Sequence, residues 1–242
     1  ISDLFSGVMP SEKMARSRAV SLGWKLSRWF AVFSVKPREK GVYIGTKLDS
    51  IKERLSYYFS FCVYSFNGKS AYYIISFEDK SRWKKILDRE VKKIMVEENL
   101  ICFSGLPVDT LMQVHESYEQ AKKAAKFFEF LNGDLTKRSV YKFSELAVYD
   151  MLLELAKKAD IKTMISQGLL KIMEIDEKEG TEYIKTLKCF FENNQNVGAT
   201  ADSMFVHRNT INYRLNKIRS IIDEDFDNPL MRLHLYISIL IY

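Results

Sequence analysis

The stretch "CVYSFNGKSAYYIISF" (Cys62–Phe77) sets the strongest limit on what this chain can fold into. Two runs of aromatic and β-branched residues flank Asn67-Gly68, the pair that best tolerates the positive φ angles of a tight hairpin turn. It reads as two adjacent antiparallel strands, and the neighbouring segments complete a pattern around it. Pro10 to about Ser27 reads as a helix with Ser11 as its N-cap. "WFAVFSV" (Trp29–Val35) is a buried strand ended by Pro37, and Asp49 to about Phe59 is helical. After the hairpin, a charged helix from about Ser81 to Glu98 collects Trp83, Ile86, Leu87, Val91, Ile94 and Met95 on one face. "LICFSG" (Leu100–Gly105) is a short buried strand. Asp109 or Thr110 then caps a helix running to about Leu131, stopped by Asn132-Gly133, and a last strand lies near Val140–Phe143.

Strand, helix, strand, strand, helix, strand, helix is the order of an α+β domain with a ferredoxin-like antiparallel sheet, over residues 1–145. Beyond it only helical periodicity remains. Leu146–Lys158, about Ile161–Ile175 and Thr181–Asn193 each show 3.6-residue apolar spacing, separated by "EKEG" and "ENNQN". Residues 146–242 are therefore expected to form an all-helical second domain.

Composition narrows the class of protein. A hydrophobic share of 47% with 28% charged residues, 10 Gly and 4 Pro describes a folded chain and excludes a disordered or fibrous one. No apolar run approaches the ~18 residues of a membrane span, and "LYISILIY" reads as a final buried helix. No secretory pattern opens the chain, and its start at Ile1 suggests a piece of a longer protein. Cys62, Cys102 and Cys189 are odd in number and far apart, giving neither a disulfide framework nor a zinc site. Together these imply a cytoplasmic protein without a metal. His115, Glu116 and Ser117 are adjacent on one helix, so their side chains diverge and form no catalytic relay; His115 reads as a surface side chain. No Gly-rich phosphate loop is present.

Charge is informative by its placement. Residues 1–45 hold eight basic against three acidic residues. From Thr181 onward the count is seven and seven, but the charges are sorted. Arg208, Arg214, Lys217 and Arg219 cluster, and Asp223, Glu224, Asp225 and Asp227 follow. On a helix over Arg208–Ile222, Ile211, Leu215, Ile218 and Ile222 fall within about 60° of arc, a narrow core-facing stripe. Asn209, Tyr213, Asn216 and Ser220 lie opposite, Thr210, Asn212 and Lys217 at the shoulders, with Arg208, Arg214 and Arg219 flanking the stripe. A solvated helix normally mixes Glu with Lys, and this one has no acid. Upstream, Asn196 can cap a short helix through Phe205, with Ala201 and Met204 inward and Phe205-Val206-His207 as a tight link. That is a helix-turn-helix plan at about 196–222, although Phe205 stands where many such turns have Gly. In this plan the N-terminal half of the second helix enters the major groove. Asn and Arg can then read base edges while Lys and Arg neutralise phosphates.

"GATADSMFVHRNTINYRLNKIRSIIDEDFDNPLMRLHLYISI" resembles the C-terminal helix-turn-helix of the PucR/CdaR family of bacterial transcription regulators. Thr200, Ala201, Val206, His207, Arg208, Asn209, Thr210, Tyr213, Arg214, Leu215, Lys217, Ile218, Asp227, Pro229 and Arg232 stand at matching positions, and Met204 replaces the usual Leu. "SRAVSLGWKLSRWFAVFSV" and "SYEQAKKA" are similar to the degenerate GGDEF-like domain of CdaR-type members. GGDEF-type cyclases need metal-holding carboxylates on the first strand and the central hairpin. Here "WFAVFSVKP" and "SFNGKSAY" carry no acid, so no enzyme and no cofactor is expected.

The resemblance implies a regulator that binds double-stranded DNA as a homodimer, responds to a small-molecule effector and controls catabolic genes. His207 would open the reading helix. Asn209, Thr210, Asn212 and Tyr213 would meet base edges, and Arg208, Arg214, Lys217 and Arg219 phosphates. A competing reading is a small-molecule or nucleotide sensor whose helical domain serves oligomerisation. An RNA-binding reading would want basic residues on a sheet face, which the strands scarcely offer.

Overall fold

Strand β1 (Trp29–Pro37) is buried on both faces from Phe30 to Val35, and that double burial organises the first half of the protein. The computed structural model describes residues 1–39, 41–130, 138–158, 165–222 and 225–241, and the chain divides into two units, Ile1–Val148 and Tyr149–Tyr242.

In the first unit, β2 (Phe61–Phe66), β3 (Ala71–Phe77), β4 (Leu100–Ser104) and β5 (Val140–Lys142) join β1 in the order β2-β3-β1-β4-β5. The first four are antiparallel neighbours, the ferredoxin-like arrangement; β5 adds a parallel edge beside β4. The hairpin closes as its sequence demands. Gly68 takes φ 86°, and the Asn67 side-chain carbonyl accepts from the backbone N–H of Lys69 (3.1 Å) and Ser70 (2.9 Å).

Alternation splits the strand side chains between two cores. Ala31, Phe33, Val35, Tyr73 and Ile75 pack under α3 (Leu48–Ser56) and a helical segment α4 spanning 83–97. Phe30, Val32, Tyr72 and Ile74 pack under α1 (Ser2–Ser6), α2 (Glu12–Ser21) and α5 (Val114–Phe130). With both faces covered, the central strands read as unbroken apolar runs.

Three details differ from the sequence reading. α2 ends at Ser21 instead of near Ser27, because Gly23 turns the chain at φ 71°; Ser11 caps it as expected, accepting from Met14 N. Segment α4 is α-helical over Trp83–Ile86 and Lys92–Glu97 but a π-helix over Leu87–Val91. Leu87, Val91 and Met95 are spaced strictly four apart and would wind around a pure α-helix, so one wider turn keeps all three buried. His115 is half-buried, its Nδ1 bonded to the Phe5 carbonyl. The helix stop at Asn132-Gly133, the helix start near Ile161 and the acids Asp223 and Glu224 lie outside the described residues.

At the end of β4, Gly105 lets α5 approach the sheet closely. A Cβ there would stand 2.0 Å from the Ser117 carbonyl oxygen. The contact is used: Val32 N–H donates to Ser117 Oγ (3.0 Å) and Gly105 N–H to Val32 O (2.9 Å), so the β1 backbone groups beyond the β4 ladder are satisfied.

The second unit contains the end of helix α6 (Phe143–Lys158), then α7 (Gln167–Glu179), α8 (Tyr183–Glu192), α9 (Val197–Met204), α10 (Arg208–Ile221) and α11 (Pro229–Ile241). Its core gathers Leu169 and Ile172 of α7, Leu187 and Phe190 of α8, Ala201 of α9, Leu235 of α11, and Ile211, Leu215 and Ile218 of α10 with Ile222.

Candidate nucleic-acid interface

The interface is built by three helix ends. Asn196 caps α9, its side chain accepting from Ala199 N–H (3.0 Å), while the fully buried Thr200 donates to the Asn196 carbonyl (2.7 Å). α9 closes with the hydrogen-bond pattern of a Schellman turn, Val206 N–H to Ala201 O (3.1 Å) and Phe205 N–H to Asp202 O (3.3 Å). Phe205 takes the left-handed position (φ 56°, ψ 39°), where Gly is usual and a bulky side chain costs about 1–2 kcal/mol. His207 then caps α10, its Nδ1 accepting from Asn209 N–H (3.2 Å), so the ring proton of the neutral imidazole sits on Nε2.

Ile211, Leu215 and Ile218 hold α10 to the core, and the opposite face is presented outward. His207, Arg208, Asn209, Asn212, Tyr213, Asn216, Lys217 and Arg219 are exposed, and Thr210 is half-buried. No acid stands on this helix. Lys217 Nζ lies 5.9 Å from the Tyr213 ring centroid, and neither Arg208 nor Lys217 has an ion pair among the described residues.

The four expected phosphate contacts do not share one environment. Arg214 is turned inward with 19% of its side chain exposed, and donates to Glu182 Oε2 (3.1 Å) and Thr186 Oγ1 (3.1 Å) at the start of α8. Arg219 lies over the Phe226 ring (5.1 Å) and 3.9 Å from Asp227. The physical reason is geometric: Arg214 follows Ile211 by three residues and precedes Leu215, so it starts at the edge of the buried stripe. Hydrogen bonds from Lys185 and from Arg214 hold the Glu182 carboxyl below its ordinary range.

Two acids that periodicity did not single out for a role organise the approach to α10. Glu182 is one, and its partner lies thirty-two residues downstream, beyond any local pattern. Asp176 is the other: its carboxylate accepts from Tyr183 N–H (2.8 Å), Ile184 N–H (2.8 Å) and the Thr181 hydroxyl, capping α8 from the last turns of α7.

A short helix capped by Asn, a tight turn and a second helix with an acid-free polar face define a helix-turn-helix DNA-binding module beside an α+β domain. The comparisons with known proteins agree. The GGDEF-like domain model matches residues 6–127, half of the chain, and the PucR C-terminal helix-turn-helix domain model matches residues 183–241. The chain belongs to the PucR/CdaR-type transcriptional regulators, with a GGDEF-like domain followed by a PucR-type helix-turn-helix domain. It is 22% identical over 243 residues to the proline-responsive transcriptional activator PutR of Bacillus subtilis (strain 168), covering 96% of this chain and 58% of that protein. It is 27% identical to the DNA-binding transcriptional activator AdeR of the same organism, over 67% of this chain and 38% of that one. It is 37% identical to the carbohydrate diacid regulator of Escherichia coli (strain K12), over 36% of this chain and 19% of that one. The chain thus spans 58% or less of each of these relatives' lengths.

The GGDEF-like match falls on a first strand and a hairpin that carry no acidic side chain. Among the described residues no group of three or more His, Cys, Asp or Glu could hold a metal ion, and no helix is long and apolar enough to cross a membrane.

Proposed function

We propose that this chain is the DNA-reading part of a regulator of catabolic genes, acting on double-stranded DNA as a homodimer and under the control of a small-molecule effector. The observation that carries the reading is the outward, acid-free face of α10, with Arg208, Asn209, Asn212, Tyr213 and Lys217 exposed. Asn209, Asn212 and Tyr213 are positioned for base edges, with Thr210 at their side. His207 offers its Nε2–H from the helix start, and Arg208 and Lys217 take phosphates. Arg219 adds to the phosphate contacts at the far end. Arg214 acts by fixing the helix.

One such module covers a half-site, which is the argument for a two-fold dimer. Dimerisation belongs to the sheet domain, whose edge strand β2 carries no charged residue to discourage pairing. The catabolic target and the effector rest on relatives named for a proline response, a carbohydrate diacid and purine catabolism.

The test is fluorescence anisotropy on DNA from just upstream of the protein's own gene, across a salt series. Lys217→Ala should weaken all sequences alike and reduce the salt slope by about 1, while Asn209→Ala should lose about 1–3 kcal/mol on one site only. If neither change matters, the helical domain serves oligomerisation and the sensor reading replaces this one. A monomer by light scattering with DNA present would remove the dimer.

A further inference from the structure

We propose that Phe205 is an apolar DNA contact, a ring held at the lip of the groove beside the first residues of α10. The inference rests on the DNA-reading function proposed above and adds a residue to it. Phe205 is 95% exposed, more than any other large apolar side chain among the described residues. It also occupies a left-handed backbone position, φ 56°, in which a bulky side chain is a genuine outlier.

Each feature works against the isolated domain. The Schellman turn around Phe205 is made by backbone groups, Val206 N–H to Ala201 O and Phe205 N–H to Asp202 O, and needs no side chain at that position. Glycine would satisfy the same bonds without strain and without exposing a ring. The neighbouring side chain, Val206, provides the packing, since it joins the core while Phe205 does not. A strained residue that contributes no contact to the fold points to a use outside it.

The position of the ring indicates that use. Phe205 lies two residues before His207, which caps α10, and three before Arg208, and both of these are exposed. When the N-terminal half of α10 enters a major groove, the preceding turn stands at the groove wall. There the chemistry that suits a phenyl ring is the apolar part of the DNA, a deoxyribose face or a thymine methyl group. The contact adds affinity without neutralising a phosphate.

The experiment compares the wild-type chain with Phe205→Gly, Phe205→Leu and Lys217→Ala in thermal melts and in salt-dependent anisotropy on the same operator. For Phe205→Gly the melting temperature should rise by a few degrees, because the turn is relieved, while DNA affinity falls about tenfold with the salt slope unchanged. Phe205→Leu should recover part of the affinity and none of the stability. Opposite signs for stability and binding are what a purely structural ring could not give. Unchanged affinity in Phe205→Gly, with Lys217→Ala still weakened, overturns the proposal alone and leaves the ring to a protein partner. A lower melting temperature in Phe205→Gly overturns it as well, by making the ring part of the fold. A wild-type chain that ignores DNA removes this inference together with the function it rests on.

Discussion

Replacing Arg214 with alanine separates a residue that reads DNA from one that holds the reader in place. Its guanidinium donates to Glu182 Oε2 and Thr186 Oγ1, each at 3.1 Å. Hydrogen bonds of a charged group contribute roughly 1.5–3 kcal/mol when sheltered and nearer 1 kcal/mol when exposed. The Glu182 side chain is 42% exposed, so that bond takes the lower figure, whereas Thr186 is fully buried. Arg214→Ala should therefore lower stability by about 2.5–4 kcal/mol, a fall in melting temperature of roughly 10–30 °C for a unit of this size. The assay is a thermal melt of the full chain, followed by anisotropy at temperatures where the variant is folded. The salt slope should match wild type, because no phosphate contact is lost. The pH dependence carries a second mark. The Glu182 carboxyl is held below its ordinary value of 4.5 by Lys185 and Arg214, so its stabilisation is present above that pH and disappears as pH falls through the lowered value. In Glu182→Gln that acid-limb loss should vanish. An Arg214→Ala protein with unchanged melting temperature and a salt slope flattened by about 1 would refute the reasoning.

Two further outcomes follow from the packing of the first unit. Gly105→Ala would drive a Cβ to 2.0 Å from the Ser117 carbonyl, and overpacking against a helix backbone should cost ~3 kcal/mol or more; a wild-type urea midpoint would contradict the close approach. Burial pushes the Cys62 thiol up to about 12 and raises Cys102 as well. At pH 8 the native chain should thus alkylate at the half-buried Cys189 first, with Cys62 thiolate at about 10⁻⁴ of the total. Comparable rates at Cys62 and Cys189 by peptide mass mapping would count against that core.

The strands were legible because aromatic and β-branched runs stop at Asn67-Gly68, Pro37 and Gly105, each of which has a local backbone reason to interrupt a strand. The parallel pairing of β5 was not, since Val140–Lys142 is three residues long and its partner is set by where the chain returns. The π turn at Leu87–Val91 escaped because an apolar face can be kept by changing the helix as well as by changing the sequence. On α10 the buried stripe was legible from spacing alone, and so was the exposed polar arc. Spacing could not say which flanking arginine meets a neighbouring helix, because Glu182 and Arg214 are paired only in three dimensions. Phe205 was visible as a residue out of place in its turn, while its left-handed backbone came only with the structure.

The Asp176 carboxylate gives the helical unit a mechanical property. It ties the end of α7 to the first two amides of α8, and Glu182 and Thr186, on either side of those amides, grip Arg214 in the middle of α10. The corner therefore has little slack: α7, the start of α8 and the middle of α10 move as one elbow. A tilt imposed on α7 is transmitted to the orientation of α10 and is not absorbed in the loop between them. The orientation of the outward face of α10 is then set by a few charged hydrogen bonds on its inward side.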